Sequence, residues 1–149
     1  PGTKADKIVH PAPEFFMILT DNVKGTGDDF DKFSATMMQD TSTLDRISIN
    51  EQLHYLQPAA EKEMLLKSFP KADNTTVVRL VKFAGLVRNG YKSGQIALTL
   101  SPRGLLSILG MLEKRMPIVR ACELVYINKI ADESEVMAIA DMLKTVGIK

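Results

Sequence analysis

At 149 residues the chain has room for one domain or two small ones, and its 45% hydrophobic and 25% charged content are those of an ordinary globular protein. A net charge of +1 gives no bulk electrostatic pull toward nucleic acid or a membrane surface. The single cysteine, Cys122, excludes an intramolecular disulfide, no apolar run approaches the roughly 20 residues of a membrane span, and no signal peptide opens the sequence, so a cytoplasmic protein is expected.

Residues 1–13 are polar, carry Pro1, Pro11 and Pro13, and read as a linker. Phe15 to Leu19 is a short apolar run with aromatic and β-branched members, which predicts a buried strand of a parallel sheet over 14–20. The run meets a polar tip, Thr20-Asp21-Asn22, and a loop holding Gly25, Gly27 and three acids. Residues 31–43 are weakly helical, and Asp40 to Arg46 makes a connector. Ile47, Ile49 and Leu53, continued by His54-Tyr55-Leu56, predict a second short strand.

The character changes at Pro58, after which every element reads as helix. Pro58 suits a first turn, and Glu61 and Glu63 favour its positive end, giving a helix over 58–69 that buries Ala60, Met64 and Leu65 and stops at Pro70. Asp73 or Asn74 caps a second helix to about Asn89-Gly90, with Val77, Leu80, Val81, Ala84, Leu86 and Val87 spaced three and four apart. An extended piece, Ile96 to Leu100, leads to Ser101 as the cap and Pro102 as the first turn of a third helix. A fourth follows Pro117 and holds Cys122 in an apolar pattern, the place of a buried thiol. Asp132 or Ser134 starts the last, which buries Val136, Ile139, Ala140 and Leu143 before Gly147. Residues 1–57 thus form part of an α/β layer, and residues 58–149 a self-sufficient bundle of four or five helices.

Three polar side chains stand out. Asn22 sits just past a buried strand, where open α/β sheets bind ligands, and an amide there can orient a water toward a γ-phosphate; it can equally satisfy loop backbone. Arg46 can deliver a guanidinium to a neighbouring subunit's γ-phosphate, or pair with Asp45. Arg103 stands in a first helical turn, where the helix dipole disfavours a cation, so an anionic partner is expected: a phosphate or a nearby carboxylate. The glycine loop is turn geometry, and Asp28, Asp29 and Asp31 are a solvated acidic loop. His10, His54 and the lone cysteine have no zinc spacing, so no metal site is expected. Lys67, Lys71, Arg79, Lys82, Arg88 and Lys92 compose either a basic stripe for nucleic acid or a solvated helix face, the near-neutral total favouring the second. No G-x-x-x-x-G-K-[ST] loop occurs in the 149 residues.

The order of a strand ending in Thr-Asp-Asn, a Gly-x-Gly-Asp loop, Leu44-Asp45-Arg46, a strand, Tyr-Leu-x-Pro with Glu61 soon after, and a helix opening on Ser101-Pro102-Arg103 resembles the AAA+ ATPases. Within them it is most similar to the MoxR-type branch, especially its cobaltochelatase ATPase subunits. The resemblance implies the end of an AAA+ αβα core over 1–57 followed by a helical lid over 58–149. It implies Asn22 as first sensor, Arg46 as arginine finger acting in trans, and Arg103 as second sensor, with ATP and Mg2+ bound in the complete protein. It further implies a homo-oligomeric ring with a protein substrate or a chelatase partner subunit, driven by hydrolysis toward remodelling or metal insertion. Two positions depart: Asp21 stands where members often have Ala, and Ile47 where they have Phe. The phosphate-binding loop and the acidic strand that holds Mg2+ are expected upstream of Pro1, so these residues alone are not expected to hydrolyse ATP. A non-enzymatic helical adaptor derived from such a protein is the alternative.

Overall fold

A computed structural model of the chain describes residues 12–20 and 45–149. The chain divides into two units, Pro1–Leu53 and His54–Lys149. Within the first, residues 12–15 turn, with Phe15 N–H donating to the Ala12 carbonyl at 2.9 Å. The two predicted strands do not form: Phe15 to Leu19 and Ile47 to Leu56 have no ladder, and Phe15, Phe16, Met17, Ile18, Leu19, Ile49 and Leu53 are exposed. A strand exists only through a neighbour that takes its backbone hydrogen bonds, and none is present among the described residues. The αβα core is therefore not shown here. The predicted loop over 21–30 and helix over 31–43 lie outside the described residues.

The second unit is helical. Its elements are α1 (Pro58–Ser68), α2 (Asn74–Lys92), α3 (Pro102–Glu113), α4 (Ile118–Val125), a 3-10 turn (Ile127–Lys129) and α5 (Glu133–Thr145). The starts follow the caps read from the sequence. Pro58 is the first residue of α1, behind Gln57. The Asp73 carboxylate accepts from Thr76 N–H at 2.7 Å and from the Thr76 hydroxyl at 2.9 Å. Asp132 accepts from Ser134 N–H at 2.7 Å and Glu135 N–H at 3.2 Å. Each cap holds its carboxyl below the usual 3.8, chiefly through the hydrogen bonds from Thr76 in one case and Ser134 in the other. At the other end of α5, Ile148 N–H returns to the Leu143 carbonyl and Gly147 N–H to that of Lys144, with Gly147 at φ +77° and Ile148 buried.

α2 runs past the predicted stop at Asn89-Gly90 to Lys92. Gly90 is helical and buried for a packing reason: a Cβ there would lie 2.9 Å from Ile96 Cδ1, where the chain folds back on the helix. The left-handed residue that turns the chain is Gly94, at φ +77°.

α2 is the hub, packed against α1, α3 and α5, while α3 also meets α1 and α4. One continuous core joins Leu65 of α1, Val77, Leu80, Phe83 and Val87 of α2, Leu105 and Ile108 of α3, Cys122 of α4 and Ile139 of α5. Most of the apolar positions expected of α2 to α5 face this core; Leu86, Val136 and Ala140 are only half-buried, and Ala60 is exposed. The core position of that turn of α1 belongs instead to a charged residue, Glu61, which is 1% exposed.

Candidate functional site

Residues 96–101 form an irregular connector held by side chains of the bundle. Ile96 and Leu100 are buried in the core while the residues between them span the surface of the helices. The sequence predicts an extended piece here; the chain instead bends at Ala97 and Leu98 and pairs with no strand. Its backbone groups go to side chains instead. Ala97 N–H donates to the Glu135 carboxylate at 3.0 Å, the Tyr126 hydroxyl donates to the Leu98 carbonyl, and Arg88 Nε donates to the Leu100 carbonyl at 2.9 Å. Side chains from three places in the bundle thus hold Ala97, Leu98 and Leu100 of one connector.

The strongest of these grips is Arg88. Its other two nitrogens form a bidentate pair with Glu61, at 2.8 and 2.7 Å, with both side chains removed from solvent. The ring of Tyr55 covers the guanidinium, 4.0 Å from its centre, and the Tyr55 hydroxyl meets Thr99 Oγ1 at 3.3 Å. Arg88 therefore has all three nitrogens hydrogen-bonded and one face of its guanidinium covered. It does not belong to a basic stripe on α2: nine residues separate it from Arg79, about two and a half turns, so the two point to opposite sides. Lys67 of the same candidate stripe is paired with Glu63 at 2.9 Å. The nucleic-acid alternative loses the continuity it needs.

The anchored connector delivers Ser101. Its hydroxyl accepts from Gly104 N–H at 3.3 Å, Pro102 fills the first helical position, and Arg103 the second. Gly104 lets the helix start close onto the connector, since a Cβ there would lie 2.6 Å from Leu100 Cδ1. Arg103 is exposed and has no ion pair or side-chain hydrogen bond among the described residues, and the first turn of α3 holds no acid. Among the described residues there is no carboxylate partner to explain an arginine at this helix end. Arg46 is exposed in the other unit, and no described carboxylate, Asp45 included, pairs with it. Asn22 lies outside the described residues. No group of three metal-ligating side chains gathers among the described residues, and none of their helices is long and apolar enough to cross a membrane.

The buried polar groups elsewhere are structural. Burial, with a smaller effect of the Glu123 charge, pushes the Cys122 thiol up to about 12, which keeps it protonated and unreactive at neutral pH. Burial likewise raises the Tyr126 phenol, followed by Glu135, so its hydroxyl remains a donor for Leu98.

A helical bundle that opens its third helix with a Ser-Pro-Arg start, in a sequence that carries Leu44-Asp45-Arg46 before it, defines the C-terminal part of a MoxR-type AAA+ ATPase. Residues 61–146, more than half of the chain, match the CbbQ/NirQ/NorQ C-terminal family, and the chain belongs to that family. It is also similar to the aerobic cobaltochelatase subunit CobS of Sinorhizobium sp., with 28% identity over 140 residues. That match covers 91% of this chain and 42% of CobS, so the chain spans less than half the length of this relative. No solved structure matches.

The sequence reading missed the Glu61–Arg88 pair, although the signal was present. Glu61 stands four residues before Leu65, and Arg88 four after Ala84, each in the register of an apolar stripe. Opposite charges at core positions of two helices predict each other.

Proposed function

We propose that this chain is the lid-bearing segment of a ring-forming AAA+ ATPase of the MoxR and cobaltochelatase kind, which couples ATP hydrolysis to remodelling of a protein partner or to metal insertion. The observation that carries the reading is Arg103: a solvent-facing guanidinium at the N-terminal end of α3, without a carboxylate partner among the described residues, on a helix start held by side chains from several elements. Such a group fits a phosphate oxygen. The guanidinium offers paired N–H donors, and an anion is favoured at this helix end where the cation alone is not.

In this reading Arg103 is the second sensor: it holds the terminal phosphate and ties the bundle's orientation to the nucleotide state. Arg46 is the arginine finger, reaching the nucleotide of the adjacent subunit and stabilising charge as the phosphoryl group transfers. Asn22 is the first sensor and orients the attacking water. In the complete protein ATP would supply the phosphoryl group and Mg2+ would neutralise its charge. The 149 residues contain no G-x-x-x-x-G-K-[ST] loop, so nucleotide binding requires a P-loop half from upstream sequence or a partner polypeptide. The similarity to CobS supports a chelatase-type partner as one option for the work done.

The test is Arg103→Ala and Arg103→Lys in the complete ATPase, with ATP turnover and nucleotide affinity measured separately. Arg103→Ala is expected to lower turnover on the order of a hundredfold, with Arg103→Lys recovering only part, because an ammonium cannot donate in the planar bidentate way. Turnover and affinity both unchanged in Arg103→Ala would remove the assignment.

A further inference from the structure

We infer that Tyr55 is a positioning residue for Arg103: it latches the segment that enters the bundle onto the connector that launches α3. This deepens the reading of Arg103 as a phosphate-sensing group and rests on it for its functional consequence, though not for the latch itself. Tyr55 lies before α1, in residues that belong to no helix. It nevertheless makes two directed contacts. Its ring face lies on the Arg88 guanidinium, whose Nε holds the Leu100 carbonyl, and its hydroxyl reaches Thr99 directly. Two separate paths from one side chain therefore converge on Thr99 and Leu100, the residues immediately before the Ser101 cap.

The chemistry is more specific than covering a charge. Arg88 is 7% exposed and already satisfied by Glu61 and Leu100, so an aliphatic side chain would shield it equally well. Tyr55 is itself 41% exposed and buries too little to be a core residue. What a tyrosine adds is an attraction for the guanidinium that falls off as the ring slides away, plus a hydroxyl that fixes the ring's rotation through Thr99. A displacement of the entering segment moves the ring, loosens Arg88 from the Leu100 carbonyl, and frees the start of α3. The entering segment and Arg103 then move as one, which is the coupling that a lid sensor needs.

The experiment is site-resolved amide hydrogen exchange on the full chain without nucleotide, comparing Tyr55→Leu, Tyr55→Phe and Thr99→Val with the parent. The reporters are the amides of Gly104 and Leu105, which donate to the Ser101 hydroxyl and carbonyl. Tyr55→Leu should speed their exchange about five- to tenfold, while the α2 amides from Leu80 to Ala84 stay unchanged. Tyr55→Phe and Thr99→Val keep the stack, and each should give about a twofold rise. Unchanged exchange at Gly104 and Leu105 in Tyr55→Leu, or acceleration spread evenly across the bundle, would overturn the latch. If Tyr55→Leu does not fold, the two milder variants decide: no rise at those amides in either one overturns it.

A second readout separates this inference from the nucleotide reading. In the complete ATPase, Tyr55→Leu should weaken nucleotide affinity in the parent but add little in an Arg103→Ala background. Full additivity of the two changes counts against the latch. An Arg103→Ala variant with unaltered affinity and turnover defeats the phosphate assignment, and the exchange result still stands or falls by itself.

Discussion

At the scale of single residues, the bundle's most consequential side chains are two charges inside its core. Glu61 and Arg88 satisfy one another bidentately, and Arg88 reserves its third nitrogen for the Leu100 carbonyl. Breaking such a pair from one side strands the remaining charge. Glu61→Leu or Arg88→Met alone should therefore cost about 3–5 kcal/mol in urea unfolding, and the double variant clearly less than the sum. The double variant should still loosen the start of α3, because an apolar pair cannot hold the Leu100 carbonyl. Cys122 gives a second residue-scale expectation. A thiol raised to about 12 should resist a disulfide reagent at pH 8 in the folded chain and react at once in denaturant. By linkage, a group raised in the folded state contributes stability that is full below its unfolded pKa and is lost as pH climbs, so this thiol favours folding at neutral pH and less so in alkali.

At the scale of elements, the helix ends are where local chemistry is readable and adjustable. Asp73 and Asp132 have their carboxyls depressed by hydrogen bonds to the first turns of α2 and α5. A depressed carboxyl contributes stability that is present above its unfolded value and is lost as pH falls through the folded one. The two caps should weaken together below about pH 4, and Asp73→Asn with Asp132→Asn should flatten that acid limb of a thermal-melt series. The end of α3 is adjustable in the other direction. Arg115, at φ +63°, occupies the left-handed conformation that favours glycine, where the chain turns and Met116 N–H returns to the Met111 carbonyl. Arg115→Gly should raise stability by about 1 kcal/mol, measured by urea unfolding.

At the scale of the whole molecule, the bundle and the finger residue call for different experiments. Residues 54–149 hold one continuous core reaching from α1 to α5. Expressed alone they should give a helical circular dichroism spectrum and one cooperative thermal transition; a broad non-cooperative melt would show that this unit borrows its stability from elsewhere. The arginine-finger proposal for Arg46 belongs to the assembled ring. There Arg46→Ala should abolish turnover while leaving ATP binding largely intact, whereas normal turnover would remove Arg46 from the mechanism.

The helices and their starts were legible in the sequence because caps, prolines and apolar spacing act over three or four residues. Pro58, Asp73, Ser101, Pro117 and Asp132 therefore mark real boundaries. The Ser-Pro-Arg start of α3 was legible for the same reason, and so was the family, whose signature is an order of short local motifs. The predicted strands failed because a strand is defined by a neighbour, and composition cannot supply one. Gly90 looked like a stop because a glycine's use depends on what packs against it, here Ile96. Only the tertiary structure could show that Glu61 and Arg88 are one buried unit. Only it could show that four otherwise unrelated side chains, Arg88, Glu135, Tyr126 and Tyr55, converge on the connector before Arg103. Local periodicity places a side chain on a face of its own helix, whereas its partner across 27 residues, as between Glu61 and Arg88, is chosen by how the helices pack.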